Sequence, residues 1–282
     1  MEILHPLIQV ETLRKVYSQP DWLLVDTRFD LSDPSWGFAD YHRGHIPGAV
    51  FADLDRHLSG PKTPSSGRHP LPDPEVFKAF LGQIGVDRTR RVVVYDTVSG
   101  AFAARLWWML KNYGHRNVAV LDGGFQAWVD AGLPVSQGVE TNPETIFTGE
   151  PDHTQVVTTS QAVELLQHPG RILLDARSPE RYRGEIEPID TVAGHIPGSL
   201  NRFHQLNLTH QGVLKDPATL RHEFDLLFEG KTPDQVVVYC GSGVTSCHHI
   251  LSMQVAGLPG ALLYAGSWSE WIRDPDRPIA RD

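Results

Sequence analysis

Hydrophobic residues in this chain gather into short, β-branched runs separated by longer stretches of helix-compatible spacing. Leu23-Leu24-Val25, Val92-Val93-Val94-Tyr95 and the run at 118–121 are apolar without interruption, which predicts strands buried on both faces of a parallel sheet. Helices are predicted near 75–84 and 101–113. The second half repeats the pattern, with strands near 172–174, 236–239 and 261–264 and helices near 217–228 and 244–256. Such alternation predicts an α/β fold, a parallel sheet flanked on both faces by helices. Ligands of open sheets of this kind sit beyond the carboxyl ends of the strands.

The two halves repeat each other at the level of single residues. Leu23-Leu24-Val25-Asp26-Thr27-Arg28 returns as Ile172-Leu173-Leu174-Asp175-Ala176-Arg177, and Gly44-His45-Ile46-Pro47-Gly48 as Gly194-His195-Ile196-Pro197-Gly198. Val92-Val93-Val94-Tyr95-Asp96 returns as Val236-Val237-Val238-Tyr239-Cys240. Asp122-Gly123-Gly124-Phe125-Gln126-Ala127-Trp128 returns as Ala265-Gly266-Ser267-Trp268-Ser269-Glu270-Trp271. These blocks keep their order, so the chain is two copies of one unit. The stretch from Ser136 to His153 is rich in Gly, Pro, Thr, Asn and Glu and has no apolar period, as a linker should. This sets the expected boundaries at 1–138, a linker at 139–155, and 156–282.

Cys240 ends the strand 236–239 and opens a strand-to-helix turn, Cys240-Gly241-Ser242-Gly243-Val244-Thr245. Successive amides in such a turn form an anion cradle, backed by the positive end of the next helix. That setting favours thiolate over thiol. A buried packing role is the ordinary fate of a free cysteine, but two glycines here clear the approach to the backbone. The amides of Gly241, Ser242, Gly243, Val244 and Thr245 are therefore expected to cradle a Cys240 nucleophile that becomes a persulfide. A phosphatase loop would need an arginine to fork onto phosphate. Ser246 stands in that place, and no arginine follows until Arg273. The first copy carries Asp96-Thr97-Val98-Ser99 instead. It is expected to be inactive, a poor anion nest that contributes one wall of a cleft.

The length of 282 residues suits two ordinary domains, and a net charge of −9 argues against nucleic acid or an anionic membrane as partner. Any anion must be caught locally. Met1 to Tyr17 has neither the apolar core of a signal peptide nor a transit-peptide pattern, and no apolar run approaches a bilayer span. Two cysteines seven residues apart make a poor staple, which points to a reducing cytoplasm.

Together the Gly-His-Ile-Pro-Gly blocks, the Asp-x-Arg strand ends, the Asp-Gly-Gly-Phe-x-x-Trp block and the Cys240 loop resemble those of two-domain rhodanese-type sulfurtransferases, from about residue 20 to the end. The Gly-Ser-Gly loop is similar to that of 3-mercaptopyruvate sulfurtransferases. The resemblance implies a tandem duplication of a rhodanese-like domain, the first inactive and the second catalytic. It implies a sulfur atom moving from a small anionic donor, 3-mercaptopyruvate ahead of thiosulfate, onto Cys240. The acceptor would be a low-molecular-weight thiol, a protein thiol such as thioredoxin, or cyanide. No cofactor and no metal are implied, and a monomer suffices.

Residue by residue, the resemblance matches Arg181 to the arginine that grips the donor carboxylate, a role suited to a planar, permanently charged fork. Asp190 stands where a second such arginine is expected, with Arg183 or Arg68 as substitutes. Ser242 matches a hydroxyl that donates to the substrate or relays a proton, or else serves only as a turn residue. His45 matches a catalytic histidine, with Asp33 or Asp40 as its acidic partner. His195 in the equivalent slot points instead to a structural job for both. Trp107-Trp108 are expected to pack the sheet and domain interface, Cys247 to be core, and His248-His249 to point away from the loop without binding metal. Two other functions remain open: a persulfide carrier delivering sulfur to a partner protein, and a phosphatase.

Overall fold

The computed structural model of the protein describes residues 4–167 and 170–282. Met1–Ile3, the start of the stretch read above for a leader, lie outside the described residues. The chain forms two compact units. One comprises the chain up to Gly60, Leu71–Asp152 and His210–Leu214; the other comprises Pro61–Pro70, His153–Thr209 and Lys215–Asp282. Two short segments thus pack with the unit remote from them in sequence, which a single linker boundary does not capture.

Each unit is built on one five-stranded sheet. In the N-terminal unit β1 (Leu7–Ile8), β2 (Trp22–Asp26), β3 (Val50–Phe51), β4 (Arg91–Tyr95) and β5 (Val118–Leu121) lie in the order β1-β5-β4-β2-β3. In the C-terminal unit β6 (Val156–Val157), β7 (Ile172–Asp175), β8 (Leu200–Asn201), β9 (Val236–Tyr239) and β10 (Leu262–Tyr264) lie in the order β6-β10-β9-β7-β8. Every pairing is parallel. One order is the other shifted by five, so the duplication read from the sequence extends to the topology. The central strands β4 and β9 are buried from their second residue or throughout, because helices cover both faces and an uninterrupted apolar run satisfies both. Helices occur at Pro74–Gln83, Ala103–Asn112, Pro217–Phe228 and Thr245–Val255, each within two residues of its predicted position. Trp107 and Trp108 are buried in the N-terminal unit.

The Asp-x-Arg corners close both sheets in the same way. Arg28 Nε donates to both carboxylate oxygens of Asp26 at 2.9–3.0 Å, and Arg177 Nε to those of Asp175 at 3.1 Å. Each guanidinium lies over an aromatic ring of the matching later block, Phe125 at 4.3 Å and Trp268 at 4.8 Å. Burial of such a pair is tolerable only because the charges meet each other.

Candidate active site

Cys240 follows the last residue of β9, at the carboxyl edge of the C-terminal sheet, and is 2% exposed. The strand cannot continue. Gly243 adopts φ +78°, and a Cβ there would collide with the Ala265 carbonyl, so glycine alone fits. The helix Thr245–Val255 follows, and the Ser246 amide in its first turn is directed at the sulfur. Burial pushes the Cys240 thiol up, but the Thr245 hydroxyl, the amides of Ser242 and Ser246 and the Ser246 hydroxyl pull it down and prevail. Ser246 Oγ is buried with no hydrogen-bond partner of ordinary length, so its approach to the sulfur is a loose one.

The loop is fixed from behind by the block 265–271. The Cys240 amide donates to Ser267 Oγ at 3.1 Å, and Ser267 Oγ donates to the Tyr264 carbonyl at 2.9 Å. Trp268 N–H donates to the Cys240 carbonyl at 3.0 Å and Ser269 N–H to that of Gly241 at 2.9 Å. Cys247 is fully buried, as expected of a core residue, but it does not turn away from the loop: its Sγ donates to the Gly243 carbonyl at 3.4 Å. His249 Nε2 donates to the Arg202 carbonyl at 2.6 Å, and its Nδ1 accepts from Asn207 Nδ2 at 2.9 Å, so both ring nitrogens are spent on the protein.

Two residues from a remote segment join this loop: Arg68, one of the two substitutes expected for the second arginine, and His69, which the sequence reading did not single out. The segment 61–70 belongs to the C-terminal unit. It is tied there by Arg68 N–H to Ser269 Oγ at 3.0 Å, Gly67 N–H to Glu270 Oε2 at 3.3 Å, and Arg273 Nε to the Ser66 carbonyl at 3.1 Å. It presents His69, whose Nδ1 lies 2.8 Å from Ser242 Oγ. It also presents Arg68, which ion-pairs with Asp190. A Cβ added to Gly241 would come within 2.7 Å of Arg68 Nη2 and 3.5 Å of Arg181 Nη2. Both guanidiniums therefore stand beside the residue that follows Cys240. Arg183 does not join them; it pairs with Glu185 at 2.8 Å. The one sequence signal was an Arg-His pair in a long aperiodic loop, the kind of segment that carries function.

Arg181 is itself held by Glu187, with Nε 3.1 Å from both carboxylate oxygens and Nη2 2.7 Å from Oε1, and by Asp190 at 3.1 Å. The Glu187 carboxylate also accepts the amides of Ile189 and Asp190 at 3.1 Å, which shapes the turn that delivers Asp190.

His45 belongs to the N-terminal unit. It is fully buried there, its ring stacked on Tyr41 at 4.2 Å and its Nδ1 2.8 Å from the Tyr41 carbonyl. His195 repeats the arrangement on Tyr182, with a centroid distance of 3.7 Å and Nδ1 2.8 Å from the Tyr182 carbonyl. Each histidine also pairs through its backbone with the segment after its last helix, Ser136 or Ala280. Neither Asp33 nor Asp40 partners His45; the carboxylate nearest its Nε2 is Glu140, at 3.7 Å. A structural job fits both copies of the motif.

The N-terminal loop also departs from expectation. Far from being a poor nest, it is a nest already filled. Asp96 Oδ1 accepts the amides of Val98 and Gly100 at 2.8 and 2.9 Å, and Oδ2 those of Phe102 and Ala103 at 2.8 and 2.9 Å. A carboxylate anchored to the chain occupies the position that the Cys240 sulfur takes in the other copy.

Comparison with known proteins gives this architecture its family. The Rhodanese-like domain matches residues 9–131 and 158–274. The chain belongs to the rhodanese family. Its two rhodanese-like domains are similar to a probable 3-mercaptopyruvate sulfurtransferase of Pseudomonas aeruginosa, 46% identical over 276 residues that cover 97% of each chain. They are also similar to the thiosulfate sulfurtransferase of Rattus norvegicus, 35% identical over 93% of this chain and 89% of the rat protein. Among solved structures, the 3-mercaptopyruvate sulfurtransferase from Leishmania major superposes with a TM-score of 0.84 at 30% identity, covering 94% of this chain and 73% of that one. This rhodanese is an enzyme, a sulfurtransferase.

Proposed function

We propose that Cys240 takes sulfur from 3-mercaptopyruvate as a persulfide and passes it to a thiol or to cyanide. What supports this is a donor-lined thiol beside two guanidiniums, in a loop that is itself uncharged. The donor carboxylate lies against Arg68 and Arg181, which brings its sulfur to Cys240. The thiolate attacks that sulfur, the carbon–sulfur bond breaks, and its electron pair leaves with the enolate of pyruvate. The donor's thiol proton ends on the methyl carbon of pyruvate, carried there by Ser242 and His69. The Cys240 persulfide anion is then held by the same amides and hydroxyls that hold the thiolate. An acceptor thiol, small or on a protein such as thioredoxin, attacks the outer sulfur and departs as a persulfide, restoring the Cys240 thiolate. Cyanide departs as thiocyanate. Both cysteines are free, and a reducing compartment such as the cytoplasm keeps them so.

The test is intact-protein and peptide mass spectrometry after exposure to mercaptopyruvate without acceptor. The expected result is one added sulfur on the peptide containing Cys240, absent in Cys240→Ser, with turnover lost in the same variant. Turnover retained by Cys240→Ser would overturn the mechanism. A higher kcat/KM with thiosulfate than with mercaptopyruvate would overturn the choice of donor alone.

A further inference from the structure

Asp190 breaks the pattern of cations expected around a site for anions, and its surroundings give a reason. From β7 outward, buried charges alternate: Asp175 binds Arg177, Arg177 faces Glu187 at 3.4 Å, Glu187 binds Arg181, and Arg181 and Arg68 both bind Asp190. Three guanidiniums meet three carboxylates, so the chain of pairs is neutral overall. Glu187 and Asp190 have side chains only 4% exposed, so water does little to screen them. Besides Arg68 Nε, which is buried without a partner, the ends along this chain that meet no carboxylate among the described residues are Arg68 Nη2 and Arg181 Nη1. Both lie beside Gly241, one residue from the nucleophile.

We propose that Asp190 is a specificity-determining residue: lodged between Arg68 and Arg181, it cancels one positive charge and leaves a seat suited to a singly charged carboxylate rather than to a dianion. A monoanion such as mercaptopyruvate uses the two free N–H ends and meets no surplus of negative charge. Because the cluster carries no net charge, a dianion such as thiosulfate meets about twice the uncompensated repulsion from the adjoining thiolate that a monoanion meets. The inference rests on the donor reading above and deepens it. Asp190 acts through field and position, not by touching the reacting atoms.

The experiment compares kcat/KM for thiosulfate and for mercaptopyruvate in the wild-type protein and in Asp190→Asn, which keeps the shape and removes the charge. The ratio of thiosulfate to mercaptopyruvate is expected to rise about tenfold, the effect of removing one nearby buried charge. An unchanged or lower ratio, including an equal loss with both donors, would overturn the proposal and leave Asp190 as a brace for the arginines. Should the variant fail to fold, a pH series on the wild-type protein decides. Burial pushes the Asp190 carboxyl up, against Arg68 and Arg181 and with the help of Glu187. Burial also pushes Glu187 up, but Arg181 and the amides of Asp190 and Ile189 hold it below its ordinary range. Of the two carboxyls that hold Arg181, Asp190 is therefore the one that neutralises first as pH falls. The donor ratio is expected to rise toward acid pH, and protonation of Cys240 cancels from it; a flat or falling ratio would overturn the inference. Absence of any added sulfur on Cys240 from mercaptopyruvate would instead sink the underlying donor reading.

Discussion

At Cys240, burial and hydrogen bonding pull in opposite directions. An apolar environment favours the neutral thiol, whereas donors from Thr245, Ser242 and Ser246 favour the charged form. Because the donors prevail, persulfide formation should persist to lower pH than an ordinary thiol allows. The Thr245 hydroxyl leads those donors, and it can be removed without emptying the site. In Thr245→Val the midpoint of single-turnover sulfur uptake against pH is expected to move up by roughly one unit, about 1.4 kcal/mol of lost thiolate stabilisation. Below the midpoint the variant is slower; well above it the two proteins converge. A midpoint that stays put would show that the hydroxyl does not hold the sulfur.

One element, the turn from β10 into the helix Ser267–Trp271, reveals how the C-terminal copy differs from its twin. Ser267 adopts φ +54°, a left-handed conformation that its counterpart Gly124 adopts at φ +60° with a glycine's freedom. The C-terminal copy thus tolerates backbone strain at this position, and the hydroxyl it gains in return accepts the Cys240 amide. Ser267→Gly relieves the strain and loses the hydroxyl; Ser267→Ala keeps the strain and loses it too. Urea denaturation should find the glycine variant more stable than the alanine variant by about 1 kcal/mol, while both lose sulfurtransferase activity. Equal stabilities would mean that the left-handed turn is not a cost. The sequence aligned Gly124 with Ser267 but gave no hint of this, since a serine carries no local sign of positive φ. By contrast the central strands were plain, because burial on both faces leaves an unbroken apolar run. The edge strands β1, β3, β6 and β8, two residues each, are too short to hold any period.

At the scale of the whole molecule, the duplication was legible because corresponding blocks recur in order, and so was the turn from Cys240 to Thr245, which is contiguous in sequence. His69 was not assigned, and Arg68 only as one of two substitutes for a missing arginine, because a segment of the first half joins the C-terminal unit and no local pattern announces tertiary placement. A related reason leaves His45 open in sequence: a buried histidine stacked on tyrosine, as it is here, and a catalytic one look alike there. The Asp96 cradle was missed because convergence of amides is a property of backbone geometry. Asp96→Ala leaves buried N–H donors unmet at a helix start, so the N-terminal unit is expected to lose more than about 3 kcal/mol of stability by thermal or urea unfolding. At temperatures where the variant remains folded, sulfur uptake by Cys240 should be unaltered. A loss of uptake with stability intact would contradict the division of labour between the copies.

Tethering gives that Asp96 carboxylate an advantage that no dissolved competitor can match. Its local concentration at the four amides is set by a side chain of two bonds, far beyond the millimolar range in which phosphate, sulfate or a donor is met. The seat in the N-terminal copy therefore never falls vacant. On the reading proposed above, incoming sulfur has its berth at Cys240, and ions that block turnover by mimicry contest that berth rather than the one Asp96 fills.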